Sequence, residues 1–290
     1  MIFAPSDLRT FAPVVRFLTF IRFSHTVFAL PFALGSMVVA ADGFPSWQIF
    51  GLILLCMIFA RTAAMTFNRV ADWEIDKRNP RTANRHRLLG RGAALATCVI
   101  SSLLFIGTTA FINRLCLLFA PVALAIIFFY SLTKRFTHAA QFFLGLALSV
   151  SPVGAWLAVT GSFAWPPIVL AAGVLCWVAG FDMIYATQDV ETDRREGLRS
   201  MVVWLGVPGA LRLAGLLHLL MLAGLIAFGL SAHLGNLYWW GLLPVPFLLV
   251  YEHRIARTLD VALINKAFFE TNAAIGLLFV IVTAADRLVQ

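Results

Sequence analysis

Asn68-Arg69-Val70-Ala71-Asp72-Trp73-Glu74-Ile75-Asp76 closes an apolar run that begins near residue 47 and carries one charge on the way, Arg61. A helix needs roughly 20 apolar residues to cross the hydrocarbon core of a bilayer. The run is therefore a span and the nonapeptide its charged end. Working outward, the same criterion gives nine spans, at about 17–41, 47–71, 92–112, 115–132, 139–160, 167–187, 208–231, 237–254 and 268–285. The eighth is the weakest, being interrupted by Pro244 and Pro246. Prolines inside spans, such as Pro31 and Pro152, are tolerable where neighbours satisfy the freed carbonyls. The 290-residue chain is 61% hydrophobic and 12% charged, with mean hydropathy +0.88. Soluble domains run near half apolar and a quarter charged. The expected fold class is all-α, a polytopic membrane bundle of nine transmembrane helices.

The net charge of +8 does not mark a nucleic-acid binder, because the basic residues fall in short loops between apolar runs. Loop 2–3 holds Lys77, Arg78, Arg81, Arg85, Arg87 and Arg91; loop 4–5 holds Lys134 and Arg135. Loop 6–7 holds Arg194, Arg195 and Arg199, and loop 8–9 holds Arg254, Arg257 and Lys266. The opposite side has Arg114 and Arg287. The positive-inside tendency puts the rich loops and the N-terminus in the cytoplasm and the C-terminus outside. The first apolar run is too long for the core of a signal peptide and reads as a span that stays. Cys56, Cys98, Cys116 and Cys176 stand singly in apolar segments and read as small packing residues.

A second acidic cluster, Asp182 followed by Gln188-Asp189-Val190-Glu191-Thr192-Asp193, ends helix 6 as the first ends helix 2. Tyr130…Lys134 and Tyr251…Arg254 likewise end helices 4 and 8. These echoes suggest a parallel duplication: helices 1–4 (about 17–132), helices 5–8 (about 139–254), then helix 9 (about 268–285), with 1–290 one transmembrane domain. Such repeats tend to place a site at their interface.

Ionisable groups at membrane depth are costly, so they pair with each other, a metal or a ligand. Asn68, Asp72 and Asp76 recur every four residues, which keeps them on one helix face over about 12 Å. Asp182, Asp189 and Asp193 return to nearly one direction in the same way. Magnesium takes hard oxygen ligands, usually one or two carboxylates plus substrate phosphate oxygens. Two such clusters suit Mg2+ ions bridging a diphosphate. Taken singly, each cluster is also explained as a solvated loop end or a partner for basic loops. Arg81, Arg85 and Lys134 are candidate diphosphate contacts, since arginine forks and lysine charges both suit phosphate. Arg78, Arg87 and Arg91 read as topology charges. Arg22 and Arg61 fall inside spans 1 and 2, so each needs an anionic partner. That partner is either a protein carboxylate such as Asp182 or the carboxylate of an acceptor. His25 reads as a packing residue more than a base. The 26 phenylalanines and eight tryptophans are mostly lipid-facing or packing residues, with Trp239-Trp240 as an interfacial belt.

These residues resemble the UbiA superfamily of intramembrane aromatic prenyltransferases over essentially the whole chain. The match runs through Arg22-Phe-Ser-His-Thr-Val-Phe-Ala-Leu-Pro31, Arg61 to Asn68 leading into the first aspartate motif, and Asn79-Pro-Arg-Thr-Ala-Asn-Arg85. It continues through Tyr130-Ser-Leu-Thr-Lys-Arg135 and Gly180-Phe-Asp182 to Asp189, Asp193 and Gly197. Arg69-Val70 departs from relatives in which an acidic residue follows the asparagine. The resemblance implies helices around a central cavity, a Mg2+ cofactor, and a polyprenyl diphosphate donor. It further implies that Asn68, Asp72, Asp76, Asp189 and Asp193 hold magnesium-diphosphate, that Arg81, Arg85, Tyr130 and Lys134 contact the diphosphate, and that Asp182 lies near the acceptor.

The expected reaction is alkylation of a small aromatic acid, with 4-hydroxybenzoate as first choice, in ubiquinone or menaquinone biosynthesis in a bacterial inner membrane. Asp72, Asp182 and Asp189 are the expected catalytic residues, and Arg22 and Arg61 the acceptor clamp. The expected partners are these substrates and membrane lipid, with no nucleic acid and no obligate protein partner. Rival readings are another acceptor, such as a naphthoate-type menaquinone precursor, and a CDP-alcohol phosphotransferase, whose DGxxAR signature is absent. The non-enzymatic rival is a cation or lipid transporter, whose polar residues would sit nearer the midplane.

Overall fold

A computed structural model of the protein describes residues 12–78, 82 and 88–289. Among the described residues every regular element is helical. Lipid offers no hydrogen-bond partners, so a spanning chain must satisfy its own backbone. The elements are α1 (Ala12–Phe20), a 3-10 segment (Phe23–Phe28), α2 (Leu30–Ala40), α3 (Trp47–Ala71) and α4 (Trp73–Arg78). Next come α5 (Arg91–Ala110), α6 (Arg114–Thr133), α7 (Ala140–Thr160), α8 (Trp165–Ala186) and α9 (Val190–Arg195). The chain ends with α10 (Met201–Ser231), α11 (Asn236–Leu242), α12 (Pro244–Ala256) and α13 (Val261–Val289).

Eight helical stretches among the described residues are long and apolar enough to cross a membrane. They match eight of the nine expected spans. The remaining one, expected at 237–254, is the shorter pair α11 and α12, divided where Pro244 starts a new helix. Span 1 also differs from expectation. Its membrane part begins at Phe23, after a break at Arg22, whose backbone is left-handed (φ 48°, ψ 54°). Pro31 therefore sits in the first turn of α2, where its missing N–H costs nothing. Pro152 lies inside α7, and there Ser151 Oγ donates to the carbonyl of Leu148 at 2.8 Å, the oxygen that proline leaves without its usual donor. Helix α10 bends at Gly206 (φ 69°), two residues before Pro208.

Serine and asparagine side chains cap three helix starts: Ser46 accepts from Ile49 N, Asn113 from Cys116 N and Ser200 from Val203 N. At the far end of the bundle, buried Asp286 on α13 accepts from Gly235 N at 2.7 Å and Tyr238 N at 3.2 Å, fixing the start of α11.

Helix α8 is the centre. Apart from Asp182 near its end it is apolar all round, packs against α7 and α10, and carries the fully buried Trp177 at the middle of an aromatic cluster with Phe28, Phe32 and Phe181. Outward faces are leucine- and valine-rich and open, as a lipid-immersed surface requires, and the protein is an integral membrane protein. Trp240 is exposed as the belt reading expected, while Trp239 turns its Nε1 to the Leu234 carbonyl at 3.1 Å.

Close approach to α8 depends on glycine. A Cβ on Gly145 of α7 would stand 2.4 Å from the Leu175 carbonyl oxygen, and one on Gly224 of α10 would stand 2.7 Å from Gly173 Cα. Gly145→Ala and Gly224→Ala are each expected to destabilise the bundle by about 1–3 kcal/mol through overpacking. Gly107→Ala, where an added Cβ meets nothing within 4 Å, should not. Equal melting temperatures for all three in detergent would refute this packing.

Candidate active site

Helix α3 reaches the membrane surface at Asp72, where the backbone leaves helical geometry (φ −92°, ψ 13°) before α4 begins. The hydrogen-bond ladder nevertheless continues, with Asp72 N to Asn68 O at 2.9 Å and Asp76 N to Asp72 O at 2.8 Å. Asn68, Asp72 and Asp76 thus keep the common face read from their spacing. Asp72 is 3% exposed and takes two cations from the end of α6: Lys134 Nζ at 2.6 Å on Oδ2 and Arg135 Nη2 at 3.0 Å on Oδ1. Those cations are aimed by a tight turn, in which Arg135 N bonds Leu132 O and Phe136 N bonds Thr133 O. Arg135 Nη2 also donates to the Ala71 carbonyl at 2.7 Å, and Asn68 Nδ2 donates to Ser131 Oγ at 3.4 Å.

The second cluster is arranged differently from the single helix expected. Asp182 lies on α8, but the chain tightens to a 3-10 turn at Thr187–Asp189 before α9 carries Asp193. Thr187 Oγ1 assists by bonding the Ile184 carbonyl at 2.7 Å. Arg78 of α4 and Glu196, just past α9, form an ion pair at 3.1 Å, which links the ends of the two acidic segments.

Both clusters line one cavity of about 640 Å³. Asn68, Asp72, Asp76, Asp182, Asp189, Asp193, Tyr130, Lys134, Arg22 and Arg61 all face it. Small-molecule sites run roughly 300–1,000 Å³. The polar groups gather where α3, α6 and α8 end, here called the near side. Behind them the walls are apolar along α6 from Lys134 back to Cys116, about 27 Å at the helical rise. At the far end Phe119 meets Phe163 edge-on with centroids 5.4 Å apart.

Arg61 lies deep, as expected, but its Nη2 donates to the Arg22 carbonyl at 3.1 Å, and it makes no ion pair among the described residues. A protein carboxylate such as Asp182 is therefore not its partner here. Its Nε is buried without a hydrogen bond. Arg22 stands at the break before span 1 instead of inside a helix. The His25 ring packs among Phe28, Phe268 and Phe269 at 5.1, 5.9 and 5.9 Å, in keeping with a packing role. Arg81 and Arg85 lie outside the described residues, as do Asn79, Asn84 and Arg87.

One further charged group faces the cavity. Arg69, 5% exposed, approaches Asp76 at 3.6 Å. Its spacing of seven from Asp76 puts both on one face, a cue present in the sequence. Arg135, one of the basic residues of loop 4–5 in the sequence reading, backs Asp72 from the end of α6.

The donor set fits a hard divalent ion: carboxylate and amide oxygens, with no cysteine or histidine in the near-side group. Among the described residues no three acidic, histidine or cysteine side chains converge on one point. Any ion there would complete its shell with ligand oxygens. An acidic mouth answered by arginine and lysine stands above an apolar shaft, the arrangement of a membrane-embedded active site.

The UbiA prenyltransferase family model matches residues 29–276, and the chain belongs to that family. It is a prenyltransferase. The 4-hydroxybenzoate octaprenyltransferase of Vibrio campbellii is 31% identical over 251 residues, covering 85% of this chain and 87% of that protein. The protein of the same name from Nitrosospira multiformis is 33% identical over 241 residues, covering 81% of each. Among solved structures, the apo UbiA homologue of Aeropyrum pernix superposes with TM-score 0.81 at 27% identity, covering 90% of this chain and 98% of that one. The UbiA homologue of Archaeoglobus fulgidus bound to GPP and Mg2+ shares the fold, with TM-score 0.71 at 20% identity over 93% of this chain and 99% of that one.

The two cations on Asp72 give a stability prediction. Lys134→Met or Arg135→Met alone leaves the carboxylate one cation, beside the Asn68 amide at 3.4 Å. The double variant leaves it buried and uncompensated, at an expected cost of about 3–5 kcal/mol. Adding Asp72→Asn to the double variant should recover most of the loss in thermal melts. Failure of that rescue would show that the charge is not what the cations answer.

Proposed function

We propose that this enzyme transfers a polyprenyl group from a polyprenyl diphosphate to the ring of 4-hydroxybenzoate, with Mg2+ as cofactor, in the biosynthesis of ubiquinone or menaquinone. The observation that carries the reading is a single cavity with carboxylates from two helix ends at its mouth and an apolar shaft behind them. The acceptor reading is supported by the names of relatives 31% and 33% identical, and by two arginines beside the same cavity. We place the near side in the cytoplasm of a bacterial inner membrane, because the basic loops concentrate there.

In this reading Asn68, Asp72, Asp76, Asp189 and Asp193 hold the metal. Tyr130 and Lys134, with Arg81 and Arg85 of the adjoining loop, hold the diphosphate. When bound, Mg2+ neutralises charge on the diphosphate oxygens and makes it a better leaving group. Lys134 and the arginines add fixed positive charge where negative charge grows as the allylic C–O bond ionises. The bonding pair leaves with the diphosphate. The ring carbon ortho to the phenol then forms the new C–C bond, and its proton is lost to a base. Asp182 orients or deprotonates the phenol, while Arg22 and Arg61 hold the acceptor carboxylate. The faces of Phe28, Phe181, Tyr185 and Phe268 line the same space and suit a delocalised cation. Enclosure by apolar walls keeps water from the cation.

Purified enzyme given geranyl diphosphate, 4-hydroxybenzoate and Mg2+ is expected to form the prenylated acid, and EDTA to stop it. Asp72→Ala and Asp189→Ala should each lower kcat at least about 100-fold, the scale of losing one preorganised electrostatic contact. Full magnesium-dependent turnover in either variant would remove it from the metal site. Faster turnover of a naphthoate acceptor would reassign the substrate.

Arg22→Ala and Arg61→Ala are expected to raise KM for 4-hydroxybenzoate about 10-fold or more, the scale of a charged hydrogen bond. KM for the diphosphate should hold, and a phenol lacking the carboxylate should be indifferent to both changes. Unchanged acceptor KM in both variants would dismiss the clamp.

A further inference from the structure

A second recess, of about 620 Å³, opens on the flank of the bundle between α10 and α12. It shares no described lining residue with the central cavity. Its walls are two stripes at helical spacing, with Arg212, Leu216 and Leu219 on α10 facing Val250, Arg254 and Arg257 from α12 and its end. The leucines and valine are exposed, so the recess faces the bilayer. The three arginines are exposed and lie together at its near-side end, where α10 begins and α12 finishes.

These arginines differ from the cations grouped at the mouth of the central cavity. Arg69, Arg78, Lys134 and Arg135 each have a carboxylate within 4 Å. Arg212, Arg254 and Arg257 form no ion pair among the described residues, and no carboxylate lines the recess. His218 of α10, 2% exposed, meets His253 of α12 through Nδ1 and Nε2 at 3.0 Å, a hydrogen bond that joins the two walls.

We propose that this recess is a binding site for an anionic phospholipid of the near-side leaflet. The three arginines take the headgroup phosphate, and the acyl chain lies along Leu216, Leu219 and Val250. Unanswered cations above an aliphatic groove complement one negative phosphodiester on a long chain. The groove offers no acidic residue to hold a metal, which distinguishes its ligand from a magnesium-bound prenyl diphosphate. Its position outside the central cavity sets it apart from the substrate path.

The full chain in mild detergent, titrated with phosphatidylglycerol or phosphatidylcholine and weighed by native mass spectrometry, tests the site. Wild type is expected to retain one phosphatidylglycerol in preference to phosphatidylcholine. Each of Arg212→Gln, Arg254→Gln and Arg257→Gln should weaken it about fivefold, and the triple variant on the order of 100-fold. Leu219→Glu, which puts an acid in the apolar wall, should weaken it as well. Arg114→Gln, an exposed far-side change, should not. Equal retention of both lipids, or unchanged binding in the triple variant, overturns the proposal. So does displacement of the lipid by geranyl diphosphate, which would give the groove to the prenyl donor. Displacement by millimolar inorganic phosphate would reduce it to a simple anion site and overturn it too.

Discussion

Asp72 is a buried carboxylate at the end of a helix that crosses lipid, and two cations from α6 answer it at 2.6 and 3.0 Å. Taking a lone carboxylate out of water costs several kcal/mol, so the charge persists only where positive partners are built around it. Much of the near side follows from that demand. Helix α6 must stop where it does, because Lys134 and Arg135 have to turn back across Asp72. The loop after α6 is pinned in turn, since Arg199 N bonds the Lys134 carbonyl at 2.7 Å and Arg199 Nη1 bonds the Phe136 carbonyl at 2.7 Å. A charge that lipid refuses thus fixes the ends of helices on either side of the cavity.

The same logic divides the cavity by polarity. Charged groups stay where the helices end and water is near. Along the shaft, Cys116, Ala120, Ala123 and Ile127 ask nothing of a ligand except apolar surface. Arg61 is the exception at depth, and its position is made tolerable by backbone. The left-handed turn at Arg22 presents a carbonyl that accepts both His25 N at 3.0 Å and Arg61 Nη2 at 3.1 Å. One strained residue thereby supplies an acceptor that a regular helix would have kept for itself.

Membrane class, most spans and the polar face of α3 could be read from residue order, because a 20-residue apolar run and a fourfold spacing are local patterns. The proline positions could not be settled in that way. Pro31, Pro152 and Pro244 all interrupt apolar runs, yet Pro31 and Pro244 open helices while Pro152 sits inside one. What separates them is the partner of the freed carbonyl, here Ser151 on Leu148, and partners are tertiary facts. The second acidic cluster misled for a related reason. The spacing predicts one continuous helix from Asp182 to Asp193, whereas the chain tightens to a 3-10 turn at Thr187–Asp189, with all three aspartates still on one cavity. The Arg69–Asp76 approach is legible from spacing alone, since seven residues bring both to one helix face. Asp286 fastening the start of α11 left no pattern, since its partners are backbone amides some 50 residues earlier.

The ion pair of Arg78 with Glu196 joins the acidic segments across the mouth, but the arginine side chain is 62% exposed. Pairs of that kind are screened by salt and worth about 0–1 kcal/mol. Such a latch yields to thermal agitation, while the glycine-tight contacts of α7 and α10 with α8 keep those three helices packed below it. Admission and release at the water-facing rim can therefore proceed by rearranging surface side chains, with the lipid-embedded frame left standing.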